Sequence, residues 1–200
     1  MSAAPLLPHD NAIEALPRKR FTREEVDRLR ESGFFEGHRY ELIDGDLIDK
    51  MGQNPRHASA IQLTLIWLAG IFGLPRVRGQ LPIEASSADR TRSLPEPDLA
   101  VLLEHKPEFT GRHPRGEELL LAVEVADFTA AFDLSRKAVI YAAAGVPEYW
   151  VLDLNRRMLV MHRQPSPTGY RLIQLFSESD TVSLENRGET VRVAELLPPE

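Results

Sequence analysis

The 200-residue chain contains no cysteine. Disulfides, thiolate zinc sites and cysteine nucleophiles are excluded together, and a reducing, cytoplasmic setting is expected. Long apolar runs are missing as well. The most apolar helical stretch, IQLTLIWLAGIFG, falls short of the roughly 20 residues a membrane span needs, and Gln62 and Thr64 interrupt it. The opening MSAAPLLPHDN has neither the charged segment nor the long apolar segment of a secretory signal, so no membrane association is expected. There is no G-x-S-x-G, no Walker-type phosphate loop and no paired-glycine dinucleotide fingerprint. The six histidines are scattered without zinc-ligand spacing. Neither an internal repeat nor a low-complexity segment occurs. Positive charge is in short supply: the net charge is -6. A whole-surface attraction to nucleic acid is thus absent, and any polyanion would need local basic clusters or a bound metal.

What is present suits a folded α/β domain. Hydrophobic residues make up 42% and charged residues 27%, enough for a sizeable core. Residues 1–20, rich in proline and polar side chains, read as a loose arm, and 21–200 as a single domain. Thr22 with Glu25 has the form of a capping box opening a helix that stops at Gly33. Asp44-Gly45 between apolar-rich runs predicts a hairpin in RYELIDGDLIDKM. Asn54-Pro55 predicts the cap and first residue of a helix reaching Phe72, apolar on most sides and so buried on most sides. RVRGQLPIEAS, PDLAVLLE and ELLLAVEVAD read as successive strands, the last central in a sheet covered on both faces. A second core helix is expected from Asp133 to Ala144, ended by Gly145 and Pro147, followed by the strand EYWVLDL. MLVMHR, YRLIQLF, TVSLE and TVRVAEL complete an antiparallel tail. The fold expected is a mixed β-sheet flanked by helices, with an N-terminal helix plus hairpin and antiparallel C-terminal strands.

Two acids interrupt the apolar strands. Asp98 stands behind Pro97 at the mouth of LAVLL, and Glu124 lies within LLLAVEVAD. A buried, unpaired carboxylate costs several kcal/mol. Two on adjacent strands would repel unless a cation lies between them or one holds a proton. Hard carboxylate oxygens suit Mg²⁺ or Mn²⁺. Lys137, one turn into the following helix, can fold back over the strand end to meet an anion held there. Asp133 and Tyr141, four residues to either side, share its helix face.

PEPD, VEVAD, the D-x-x-x-K-x-x-x-Y-A-x-x-G-V-P-E-Y-W-V-L-D block, RYELIDGDLI and the Pro-Arg-His of NPRHASA resemble the Uma-two family of restriction endonucleases. That family is a branch of the PD-(D/E)XK nuclease superfamily, and the resemblance covers roughly residues 21–164. It implies a restriction-endonuclease-like core with Asp98 and Glu124 as metal ligands and a lysine stabilising the attacked phosphate. In the common superfamily pattern that lysine stands two residues after the second acid, where this chain has Ala126. The resemblance moves its role to Lys137.

The activity expected is Mg²⁺-dependent hydrolysis of DNA phosphodiester bonds by in-line attack of water. A homodimer is a plausible assembly for cutting both strands. Ala126 and the acidic total speak for an alternative, a catalytically inactive nuclease-fold module that binds nucleic acid or a protein partner. A structural domain docking through its C-terminal strands is a third reading. Glu41, His57, Asp133 and Tyr141 are possible supporting residues. Their structural counterparts are an exposed strand acid, a packing or capping histidine, a helix N-cap and a core-edge aromatic. Asp89 to Arg92 and Arg112 to Arg115, in loops before the acid-bearing strands, could form a cationic rim beside the metal, with ordinary loop solvation as the alternative.

Overall fold

The computed structural model describes residues 18–50, 54–185 and 187–199. Most of the arm expected over 1–20 lies outside those residues. Helix α1 spans Arg23–Glu31, and its capping box is present: the Thr22 side chain accepts from Glu25 N while Glu25 reaches back to Thr22 N. Strands β1 (Tyr40–Ile43) and β2 (Asp46–Asp49) form the expected hairpin. Asp44 and Gly45 turn it with φ of 49° and 80°, the two left-handed residues that match the right-handed twist of the strands.

Helix α2 (Pro55–Phe72) starts at Asn54, whose side chain accepts from His57 N, and ends against Gly73. Only Ala60, Thr64, Leu68 and Phe72 are buried, whereas Ile66 is 60% exposed. The helix lies on one face of the sheet and keeps an outer face, so it is less enclosed than its composition predicts.

The main sheet has six strands: β3 (Val77–Gly79), β4 (Leu99–Leu102), β5 (Leu119–Ala126), β6 (Glu148–Asp153), β7 (Met158–Ser166) and β8 (Gly169–Ser177), side by side in that order. All neighbours are antiparallel except β5 and β6, the parallel pair joined through helices. The strand expected across RVRGQLPIEAS is confined to its first residues. Beyond Gly79 the chain leaves the ladder, and Glu84 makes only an isolated bridge with Arg115. Strands β9 (Thr181–Ser183) and β10 (Thr190–Arg192) pair separately. TVRVAEL is not one strand: it passes from β10 into the short helix α5 (Val193–Leu196), whose Val193 and Leu196 are buried.

Side-chain alternation divides the core. Leu99, Val101, Val123 and Val125 join Leu68 and Phe72 of α2. Ala100, Leu102, Ala122 and Ala126 join Ala138 and Tyr141 on the other face. That second face is covered by a continuous helical stretch: α3 (Ala130–Phe132), a π-helical turn (Asp133–Lys137) and α4 (Ala138–Ala143). It begins three residues before Asp133, which is therefore an interior residue and not the N-cap. Gly145, at φ 84°, closes the far end, with its N–H on Ala142 O and the Val146 N–H on Tyr141 O.

Candidate active site

Register brings the two strand acids together. Leu99 pairs with Val123 and Ala100 with Ala122, so Asp98, one residue before β4, stands beside Glu124 of β5. By the two-residue period both side chains belong to the face covered by α3, the π turn and α4. Both line a cavity of about 470 Å³, together with Glu41 and Lys50 of the hairpin, His57 of α2, and Asp133 and Lys137.

Asp98 is 3% exposed and tightly held. Its Oδ2 accepts the Val125 N–H at 2.9 Å and lies 3.4 Å from His57 Nε2, while Gln80 Nε2 is 3.5 Å from Oδ1. Burial alone would raise its pKa. The His57 hydrogen bond, the Lys50 and His57 charges and the Val125 N–H outweigh burial and hold it at about 2. For His57, burial favours the neutral ring but Asp98 prevails and the pKa is raised. His57 Nδ1 is buried without a partner among the described residues.

Glu124, Glu41 and Asp133 surround one ammonium. Lys137 Nζ lies 2.7 Å from Glu41 Oε1, 2.9 Å from Glu124 Oε1 and 3.8 Å from Asp133 Oδ1. Tyr141 OH donates to the same Glu124 oxygen at 2.6 Å, and Thr129 Oγ1 donates to Asp133 Oδ2 at 2.5 Å. Both hydrogen bonds to Glu124 fall on Oε1, and neither uses Oε2. Three carboxylates around one cation leave an excess of negative charge. Burial, the strongest influence, therefore pushes Glu124 above the usual carboxylate range, with Asp98 and Asp133 adding to the rise against the pull of Lys137. Asp133 is raised for the same main reason. Lys137 moves upward, since Glu124, Glu41 and Asp133 overcome the cost of burying its charge.

The structure thus gathers Asp98, Glu124, Lys137, Glu41, His57 and Asp133 around one cavity, with Tyr141 behind them, bonded to Glu124. Glu41 is buried, not an exposed strand acid. Tyr141 is both a core residue and a hydrogen-bond donor to the site. His57 combines its place in the first turn of α2 with the contact to Asp98. Lys137 occupies the expected position, but an ammonium has three N–H donors, and here three carboxylates surround it. The loop cations do not rim this cavity. Arg90, Arg112, His113 and Arg115 line a separate one of about 860 Å³, and Arg112 is paired with Glu108 and Glu118.

Several lining residues were not recognised from the sequence as belonging to a site. Lys50 donates to the Glu96 carbonyl at 2.6 Å, Arg39 pairs with Glu96, and Asn54 bonds Asp127, both lining the cavity. Each contact spans 46 or more residues, beyond the reach of any local pattern. Lys50 and Arg39 flank a recognisable hairpin, the one available hint.

Residues 23–194 match the model of the Uma2 family, described as "Putative restriction endonuclease". A crystal structure titled as a putative nuclease belonging to DUF820, from Anabaena variabilis ATCC 29413, is similar over 88% of this chain and 97% of that one. The TM-score is 0.64 at 14% sequence identity, a likeness of fold. No curated protein matches this chain. Among the described residues, no helix is long and apolar enough to cross a membrane. With a family match across most of its length, the chain belongs to the Uma2 family.

Proposed function

We propose that this protein is a Mg²⁺-dependent endonuclease, able to use Mn²⁺, that hydrolyses phosphodiester bonds in DNA. The observation that carries the reading is the pair Asp98 and Glu124, on adjacent chain segments of one sheet and lining one cavity. No three His, Asp or Glu side chains among the described residues form a ready-made metal cage. Two carboxylates still fit Mg²⁺, which retains waters and is commonly held by one or two carboxylates plus substrate phosphates. Bound by Asp98 and Glu124, the ion would supply Lewis-acid stabilisation of the phosphodiester oxygens and a water of lowered pKa.

The remaining residues hold that pair. The Val125 N–H and His57 fix Asp98 as an ionised ligand. Lys137 and Tyr141 fix Glu124 through Oε1. Burial pushes the Glu124 pKa upward, so cation and proton compete for this carboxylate. Lys137 acts through Glu124, as a positioning residue, instead of through the phosphate. Ile48, Phe128 and Phe132 supply apolar wall around the acids.

Cleavage of supercoiled plasmid and of single-stranded DNA, by wild type and Glu124→Gln purified in parallel with Mg²⁺, Mn²⁺ or EDTA, tests this. Metal-dependent nicking that disappears in the variant is expected. Equal activity in both proteins would sink the proposal. Ala126, in the place of the superfamily lysine, favours a second reading, a nuclease-fold module that binds nucleic acid or protein without cutting. Such a module would bind its partner unchanged in Glu124→Gln and cleave in neither form.

A further inference from the structure

Six acids line the cavity: Glu41, Asp49, Asp98, Glu124, Asp127 and Asp133. A phosphodiester entering it needs a cation with donors to spare, and among the described residues only Arg39, Lys50 and Lys137 line the wall as lysine or arginine. Lys137 is 4% exposed and surrounded by three carboxylates. Arg39 is neutralised by the Glu96 carboxylate and also donates to Gln80. Lys50 differs from both. The single hydrogen bond of its ammonium among the described residues goes to a neutral acceptor, the Glu96 carbonyl, at 2.6 Å. That leaves two N–H donors free, and no carboxylate among the described residues lies within ion-pair distance of the ammonium.

Its place is also fixed. The Lys50 N–H bonds Arg39 O at the open end of the hairpin. Glu96, the residue holding its ammonium, stands two residues before Asp98, and the Glu96 N–H bonds Glu41 Oε2 at 3.2 Å. One short segment therefore carries the acid that would hold the metal and the carbonyl that aims the lysine. The field of Lys50 already reaches both acids, lowering the pKa of each.

We propose that Lys50, and not Lys137, is the lysine that touches the attacked phosphate. The inference rests on the nuclease reading and deepens it: the hairpin supplies the phosphate contact, while the helix supplies the counter-ion that positions Glu124. In the reaction the Lys50 ammonium donates to a non-bridging oxygen as negative charge builds on it. It keeps its own proton throughout.

The test uses the full chain with Lys50→Ala and Lys50→Arg. Cleavage in Mg²⁺ is expected to slow by about a hundredfold in Lys50→Ala, the scale of losing one donor to a developing oxyanion, and to recover in part in Lys50→Arg. Mn²⁺ affinity, by titration calorimetry, is expected to be unchanged or tighter in Lys50→Ala, because a positive neighbour is gone. A merely structural lysine would instead weaken it. A wild-type cleavage rate in Lys50→Ala overturns the proposal, as does a joint loss of cleavage and Mn²⁺ affinity. Where wild type itself cleaves nothing, the nuclease reading fails separately. Fluorescence anisotropy of a labelled oligonucleotide in Ca²⁺ then decides: about tenfold weaker binding by Lys50→Ala with a shallower salt dependence supports the contact. Unchanged binding, or no binding by wild type, overturns it.

Discussion

Replacing Lys137 by methionine keeps the apolar stem of the side chain, one atom shorter, and deletes its charge. Glu41, Glu124 and Asp133, at 4%, 3% and 2% exposure, would then face one another without the ammonium between them. Removing one partner of a buried ion pair costs about 3–5 kcal/mol. For a chain of this size each kcal/mol moves Tm by roughly 2–4 °C, so the melt should fall by about 6–20 °C. The acids can escape part of this by taking protons, which makes the loss depend on pH. A carboxyl whose pKa is raised by folding binds its proton more tightly in the native state. Its effect on stability is therefore harmless below the ordinary carboxylate range and grows as pH climbs toward the raised value. Glu124 and Asp133 already lie on that side in the wild type, and in both cases Lys137 is the largest influence opposing the rise. The deficit of Lys137→Met relative to wild type should be small near about pH 5 and largest near about pH 8. Thermal melts by circular dichroism in EDTA across that range measure it. A deficit of the same size at both ends would mean that packing, not charge, is lost. A variant as stable as wild type at the alkaline end would refute the network altogether.

Asp98 has the opposite sign. Its pKa falls from an ordinary 3.8 to about 2 on folding, so its contribution is fully present above pH 3.8 and is lost as pH drops through about 2; the interval corresponds to about 2 kcal/mol. Asp98→Asn should flatten that acid limb in urea titrations run without metal, and an unchanged limb would show that other carboxylates control it. Gly116→Ala probes the ground beneath β5. An added Cβ would stand 2.3 Å from the Ala144 carbonyl oxygen at the end of α4, which should cost about 1–3 kcal/mol by overpacking; a neutral result in equilibrium unfolding would mean that the helix end yields freely.

Asp98 and Glu124 were legible because each breaks an apolar strand, where an acid with no task is unusual. That signal alone does not mark a site. EYWVLDL carries two equally buried acids, Glu148 and Asp153, and neither lines the cavity. Glu148 accepts from Trp150 Nε1 and Arg163, and Asp153 accepts the N–H groups of Asn155 and Arg156 in the following turn. Strand register and facing separate the two pairs, and no local pattern records either. Lys50 was invisible for the same reason, since its role depends on how the hairpin docks over residue 96. Asp133 misled because a short acid ahead of an apolar helix has the form of a cap. The helix begins earlier, and the five-residue π turn from Asp133 to Lys137 keeps both residues inside it, as such turns often do at functional sites. The same turn bears on Ala126, the position two residues after Glu124. Position 126 lies on the face of Glu124, and Ala126 is fully buried in the cluster that includes Ala138 and Tyr141. A lysine there would have to push its stem through the space this helical stretch fills. A small residue at 126 lets the helix close over the strand, and the helix then delivers an ammonium to Glu124 from its own side. Alanine on the strand and lysine on the helix are one arrangement, so restoring a lysine at 126 should not substitute for Lys137 unless the helix is first moved away.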